Sequence, residues 1–223
     1  MDCSASSIHR MAEENCDWAN LDAIWVSHFH LDHCGGLPAF FFATKYAAET
    51  HERRKPLKIF GAEGLKELIE NFDAVNNYRL LEQPFPMEIV EISALEPFEI
   101  LSGVRASALK TPHTPESHAI HITDADGKTL VFTADTGFHE PMAAFARHVD
   151  LFVTECSFVH SKPVEIHVNL PEAMFLIRKA APKRAMLTHL YSEWDEVDAK
   201  HEISAFQPPC EIIMAFDGLR IEL

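Results

Sequence analysis

Residues 27–36 read Ser27-His28-Phe29-His30-Leu31-Asp32-His33-Cys34-Gly35-Gly36, which gathers three imidazoles and a carboxylate on one short stretch. Imidazole nitrogen and carboxylate oxygen together suit zinc, manganese or iron, and four such groups this close can serve two neighbouring cations. The same residue types recur where later apolar runs end: His113 in Thr111-Pro112-His113-Thr114-Pro115, Asp135 in Ala134-Asp135-Thr136-Gly137, and His189 in Thr188-His189-Leu190. Two prolines stiffen the His113 loop, which suits a preorganised ligand. Asp135, between an apolar run and a glycine, can lean out of a sheet and bridge two cations through its two oxygens. Cys34 is expected to be a packed loop residue, although its place beside His33 leaves room for redox sensitivity.

These residues need strands to present them. The spacing predicts a strand over 21–27, with Ile24 and Val26 inward, that delivers the histidine-rich loop at its C-terminal end, where functional loops of layered α/β proteins gather. A helix over 8–15, capped by Ser6 or Ser7, precedes it. A helix is expected over 37–53, with Phe40, Phe41 and Ala47 toward a sheet, and Glu52-Arg53-Arg54-Lys55 forms its solvated end. A strand over 57–60, a turn at Gly61 and a helix over 62–75 follow, the helix striped by Leu65, Leu68, Ile69 and Phe72. Residues 87–92 and 97–101 alternate like antiparallel strands around a turn, and 104–110 continues the sheet. Residues 118–123 read as a strand carrying His118 and His121, with an Asp-Gly hairpin turn at 124–128 leading to a strand over 129–133. Then come a helix over 138–148, a strand over 151–154, and a helix with Pro171 and Glu172 in its first turn that Pro182 ends. A strand over 184–187 precedes His189, and residues 212–223 read as a strand, an Asp217-Gly218 turn and a final strand.

The chain has 223 residues and 47% apolar content, enough to bury a sizeable core, and is most simply one domain over 1–223. Its formal net charge of −15 argues against gripping long nucleic acid, which needs a basic patch, but not against a small anionic substrate met by a local dication. Five cysteines without a Cys-x-x-Cys pair point to a reduced, cytoplasmic setting. The apolar run 37–42 is too short to cross a bilayer, so no membrane partner is expected.

His28, His30, Asp32 and His33 in one loop, followed in order by His113, Asp135 and His189, resemble the metallo-β-lactamase superfamily of dinuclear hydrolases over nearly the whole chain. The resemblance implies an α/β fold, a four-layer αββα sandwich holding two divalent ions, zinc first, with manganese or iron as alternatives. It implies that His28, His30 and His113 bind one ion, that Asp32, His33 and His189 bind the other, and that Asp135 bridges. Glu155-Cys156-Ser157 and the later His167 narrow the resemblance to the ribonuclease Z-like and phosphodiesterase branch. There the matching Glu and His form a pair near the leaving group, which implies that Glu155 orients His167 as a general acid. Asp32 would help take up the proton of the attacking water.

Two departures shape the expectation. Family members carry an N-terminal β-hairpin before the segment matching Asp2-Cys3-Ser4, and this sequence starts at Met1 without it. Either the sequence is an N-terminally shortened product, or another chain or a rearranged strand covers the sheet edge; an uncovered edge invites association, which makes a homodimer one of the expectations. The long Gly/Pro-rich arm with which ribonuclease Z grips transfer RNA is also missing between Gly36 and Pro112. The expected activity is therefore hydrolysis of a small, possibly cyclic, phosphodiester. Lactone, thioester or aryl sulfate hydrolysis on the same ligand set is one alternative; a non-catalytic metal-binding relative is another, and nucleic-acid processing a third.

Overall fold

Ile24 and Val26 do point into a core, from the strand β1 (Ala23–Val26). A computed structural model describes residues 1–223, which fall into two compact units, Met1–Ser93 and Ala94–Leu223. In the first, β1 pairs in parallel with β2 (Leu57–Gly61), and β2 with β3 (Met87–Glu91), so β1 is an edge strand. Parallel neighbours need crossovers; α3 (Leu37–Tyr46) and α4 (Leu65–Ala74) lie in these two. Leu37, Phe40 and Phe41 of α3 and Leu65 and Ile69 of α4 share one core with Ile24, Val26 and Ile59. Ahead of β1 lies α1 (Ser7–Glu13), with Ser6 at its N-cap position, though no serine side chain caps its backbone. The single turn α2 (Leu31–Cys34) follows His30.

Three expectations in this unit need correction. The helix expected over 37–53 stops at Tyr46, where Ala47 turns extended and Thr50 Oγ1 donates to the carbonyls of Thr44 and Ala47. Arg53 is not part of a solvated end. It is buried, donating to the carbonyls of Ala19, Leu21, Lys55 and Pro56 and lying over the Phe85 ring at 4.4 Å. Those carbonyls keep the cation solvated inside the protein, as a buried charge requires. Finally, residues 87–91 do not pair with 98–101, because β3 completes the parallel sheet on β2.

The second unit holds a seven-stranded sheet in the order β10-β9-β8-β7-β6-β5-β4. Its strands are β4 (Phe98–Leu101), β5 (Val104–Lys110), β6 (His118–Thr123), β7 (Thr129–Phe132), β8 (Leu151–Glu155), β9 (Arg184–Thr188) and β10 (Glu211–Met214). β4 to β7 are antiparallel and β7 to β10 parallel, so β5, β7, β8 and β9 all run the same way. Val131, Phe152, Ala185 and Leu187 of the sheet join Met174 and Ile177 of α6 (Leu170–Ala180) in the core, beside α5 (Pro141–Phe145). Asn169 and Glu172 form a reciprocal capping box at the start of α6. The expected helix over 138–148 shrinks to α5, because Pro141 starts it and His148 adopts a positive φ of 59°. No final strand forms after Gly218; residues 219–223 are irregular, and the Glu222 carbonyl accepts from Arg184. The helix α7 (Ala199–Ala205), capped by the Asp198 side chain, has no counterpart in the sequence reading.

Candidate metal centre

In the first unit the loop after β1 brings its imidazoles together: the His28 ring lies 4.7 Å from that of His30 and 4.1 Å from that of His33. His28 and His33 are buried. Asp32 is exposed, its Oδ2 3.5 Å from His33 Nε2. Asp2 organises this loop from a distance in sequence. Its Oδ1 accepts from the Ser27 backbone N–H at 2.8 Å, and its Oδ2 faces Ser27 Oγ at 3.0 Å and His33 Nδ1 at 2.8 Å. The segment is tied in further by Cys3 N–H to the His33 carbonyl and Gly36 N–H to the Cys3 carbonyl. A Cβ on Gly36 would sit 1.9 Å from the Ser4 carbonyl oxygen, so only glycine permits this approach.

In the second unit β5, β7, β8 and β9 open at the same end, and that end carries His113, Asp135, Glu155 and His189. Ala134 and His189 both take left-handed backbone conformations, φ 51° and 54°, which break the strand direction where the candidate ligands emerge. Asp135 is buried, its Oδ2 3.2 Å from His189 Nε2 and 3.8 Å from His113 Nε2. Ligand atoms of His113, Asp135 and His167 lie within 4.8 Å of one another, as do those of Glu155, His167 and His189. The turn holding Asp135 is pressed onto the loop that holds His167. A Cβ on Gly137 would meet the Glu165 carbonyl oxygen at 2.2 Å.

Outer hydrogen bonds fix the protonation of these rings. His113 Nδ1 is 3.0 Å from the Ile166 carbonyl oxygen, which can only accept, so Nδ1 carries the proton. The carboxylates of Asp2 and Glu155 impose the same tautomer on His33 and on His167, whose Nδ1 is 3.0 Å from Glu155 Oε1. Ser27 Oγ lies 3.0 Å from His28 Nδ1, and Ser157 Oγ 2.9 Å from His189 Nδ1. Both hydroxyls spend their own protons on carboxylates, Ser27 on Asp2 and Ser157 on Glu155, so each accepts from its imidazole. His28, His33, His113 and His189 thus present Nε2 as the lone-pair atom, the arrangement of histidine ligands in metal sites, while His167 is held the same way at Nδ1 with its Nε2 left to carry a proton. This donor chemistry, all imidazole and carboxylate, fits a divalent cation. The thiols do not compete. Cys3 is pushed up to about 11 and Cys156 well above its ordinary value by burial, and Cys34 Sγ donates to the Phe29 carbonyl at 3.3 Å.

Within each unit, then, every residue singled out from the sequence stands with its fellows: His28, His30, Asp32 and His33 in the first, His113, Asp135, Glu155, His167 and His189 in the second. His118, taken as a sheet residue, is buried, with Nδ1 donating to the Glu116 carbonyl at 2.7 Å, and burial holds its pKa below the usual histidine value. Sequence reasoning missed Asp2, Ser27 and Ser157 as the partners of His33, His28 and His189. Ser27 and Ser157 lie within the motifs singled out from the sequence, and Asp2 opens the segment that matches the family, but no local spacing ties any of the three to its histidine.

Known proteins share this framework. The uncharacterized protein Rv1339 of Mycobacterium tuberculosis is 28% identical over 210 residues, covering 89% of this chain and 72% of that protein. The probable metallo-hydrolase YhfI of Bacillus subtilis is 28% identical over 172 residues, 76% of this chain and 66% of its own length. Its crystal structure superposes with a TM-score of 0.77 over 98% of this chain and 83% of that one, at 21% identity. The short form of human tRNase Z gives 0.78 over 99% and 86%, at 16% identity. The fold is the metallo-β-lactamase fold. Residues 1–209 match the family described as anti-Pycsar protein Apyc1, and the chain belongs to that family.

Proposed function

We propose that this metal-dependent hydrolase opens the phosphodiester of a cyclic nucleotide. Membership of the anti-Pycsar family points to cyclic-nucleotide degradation. The observation that carries the reading is the buried Glu155–His167 pair. Glu155 Oε1 holds His167 Nδ1 at 3.0 Å and also accepts the Thr136 N–H at 2.6 Å, while Oε2 accepts Ser157 Oγ at 2.7 Å and the Val168 N–H at 3.2 Å. A carboxylate held this firmly fixes one imidazole beside His113, Asp135 and His189, which suits protonation of an alkoxide leaving group. Thioester hydrolysis makes less use of such an acid, because a thiolate leaves without a proton.

In this reading His28, His30 and His113 would hold one cation, Asp32, His33 and His189 would hold the second, and Asp135 would be shared between them, zinc being the first choice for an imidazole-rich set. Two ions bound there would supply positive charge to the phosphoryl oxygens and acidify the attacking water. The chain's own residues do the rest. The water oxygen bonds to phosphorus and its proton passes toward Asp32. The bond to the ribose oxygen breaks with its electron pair left on that oxygen, which takes a proton from His167 Nε2. The product is one ring-opened phosphomonoester. All five cysteines are free, which supports a reducing compartment, the cytoplasm.

The test is hydrolysis of a panel of 3′,5′-cyclic nucleotides by protein loaded with zinc or with manganese, followed by phosphorus NMR. Ring opening that vanishes in Asp135→Ala and falls by about 10²–10⁴-fold in His167→Ala is expected. Metal-loaded protein that leaves every cyclic nucleotide intact while cleaving a lactone or thioester would refute the reading.

A further inference from the structure

Tyr191 stands against the Glu155–His167 pair without a role in it so far. Its Oη lies 3.4 Å from His167 Nε2, the atom opposite the one that Glu155 holds. The ring packs edge-on against Phe158 at 5.1 Å and sits 5.6 Å from the His167 ring and 5.3 Å from that of His189. The backbone is fixed as well: Tyr191 N–H donates to the Ser157 carbonyl, two residues from Glu155. Yet the residue keeps 42% of its surface exposed, so it can meet a substrate.

From these contacts we infer that Tyr191 is a positioning residue for the leaving-group side of the reaction, holding His167 Nε2 through its phenol oxygen. The inference rests on the proposed phosphodiester hydrolysis. With Nδ1 protonated toward Glu155, a neutral His167 offers a lone pair at Nε2, and the Tyr191 O–H donates to it. When Nε2 also carries a proton, the phenol oxygen accepts instead. The hydroxyl can therefore keep the ring in one orientation through both protonation states, releasing Nε2–H when the ribose oxygen arrives and donating again once that proton has left. No proton is consumed at Tyr191 itself. The imidazole is thus clamped at both nitrogens, and the arriving oxygen finds the acid already aimed.

Tyr191→Phe deletes the hydroxyl and keeps the ring on Phe158. A ribose alkoxide needs protonation as it leaves, whereas nitrophenolate does not. Loss of the clamp should lower kcat about tenfold on a cyclic nucleotide, the scale of one lost hydrogen bond, with KM little changed and turnover of bis(p-nitrophenyl) phosphate within about twofold of wild type. In zinc-loaded, nitrogen-15-labelled protein the His167 Nε2 resonance should move in the variant. Equal losses on both substrates, or a resonance that stays put, would overturn the inference. If the resonance moves while the wild-type protein opens no cyclic nucleotide, the clamp is upheld and the proposed substrate is the part that fails.

Discussion

Asp2 holds the histidine-rich loop from far off in sequence, reaching Ser27 and His33 across 25 and 31 positions, a span no local pattern encodes. Its carboxylate fixes the His33 tautomer and raises the basicity of Nε2. Asp2→Asn should therefore weaken zinc affinity by about 10–100-fold, measured by competition with a chromogenic chelator, while the circular dichroism spectrum stays native. An unchanged affinity would reduce Asp2 to a loop brace. Cys34 supplies the contrast. It is fully buried and its thiol is used on the Phe29 carbonyl, so Cys34→Ala should lower thermal stability by about 1–2 kcal/mol through the small cavity left. Bound metal and turnover should stay near wild type. Asp32→Ala should leave the fold intact and reduce turnover by about a hundredfold or more, because this exposed carboxylate is proposed as both ligand and proton acceptor. The reverse ranking in a metal-content and activity assay would mean that the two residues had been assigned the wrong way round.

At the scale of elements, four strands opening at one end present the second unit's candidate ligands, and a single carboxylate ties three of the strands together at the other. Asp150, just before β8, accepts from Lys183 Nζ at 2.7 Å next to β9 and from the N–H and hydroxyl of Thr129 at 2.8 and 2.9 Å on β7. The Lys183 ammonium and then the Thr129 donors hold the carboxyl well below the usual carboxylate range. Its folded pKa is lower than its unfolded value of about 3.9, so the stabilisation is fully present at neutral pH and fades as pH drops below about 4 toward the folded pKa. Asp150→Asn should thus destabilise the protein by about 1–3 kcal/mol at pH 7 and by progressively less toward pH 3, read from urea midpoints. Much of this comes from Thr129, since the Lys183 side chain is 71% exposed and screened by solvent. A penalty that does not change with pH would show that Asp150 acts through packing alone. These strands could be read from the sequence because apolar alternation marks both their existence and their ends, as in residues 104–110 and 118–123, which matched the structure at both limits. Partnership could not be read so well. Residues 87–91 alternate as an antiparallel strand would, yet they complete a parallel sheet, and the basic run around Arg53 hid an interior cation because its carbonyl partners are distributed over 19–56.

For the molecule as a whole, charge governs what can approach. A net charge of −15 surrounds a centre whose proposed substrate is itself anionic, so the long-range field would oppose association and only the cations proposed there would favour it locally. Screening acts chiefly on the long-range part. Raising salt from about 20 to 200 mM shrinks the Debye length from roughly 20 to 7 Å, which removes repulsion between distant carboxylates and the incoming nucleotide while leaving close attraction at the metals largely intact. At fixed metal occupancy, kcat/KM for a cyclic nucleotide should accordingly hold steady or rise up to a fewfold. A polyanion grasped through many phosphates behaves in the opposite way, losing affinity steeply as salt releases no further benefit from displaced counterions. The sharing of a fold with human tRNase Z leaves this choice open, since that fold serves both kinds of substrate, and it is the surface charge that separates them. Transfer RNA should neither be cut nor compete measurably with the cyclic nucleotide at any salt in the range. Competition that is strong at low salt and gone at high salt would reveal a cationic strip that the overall charge conceals, and would turn attention from small diesters to RNA.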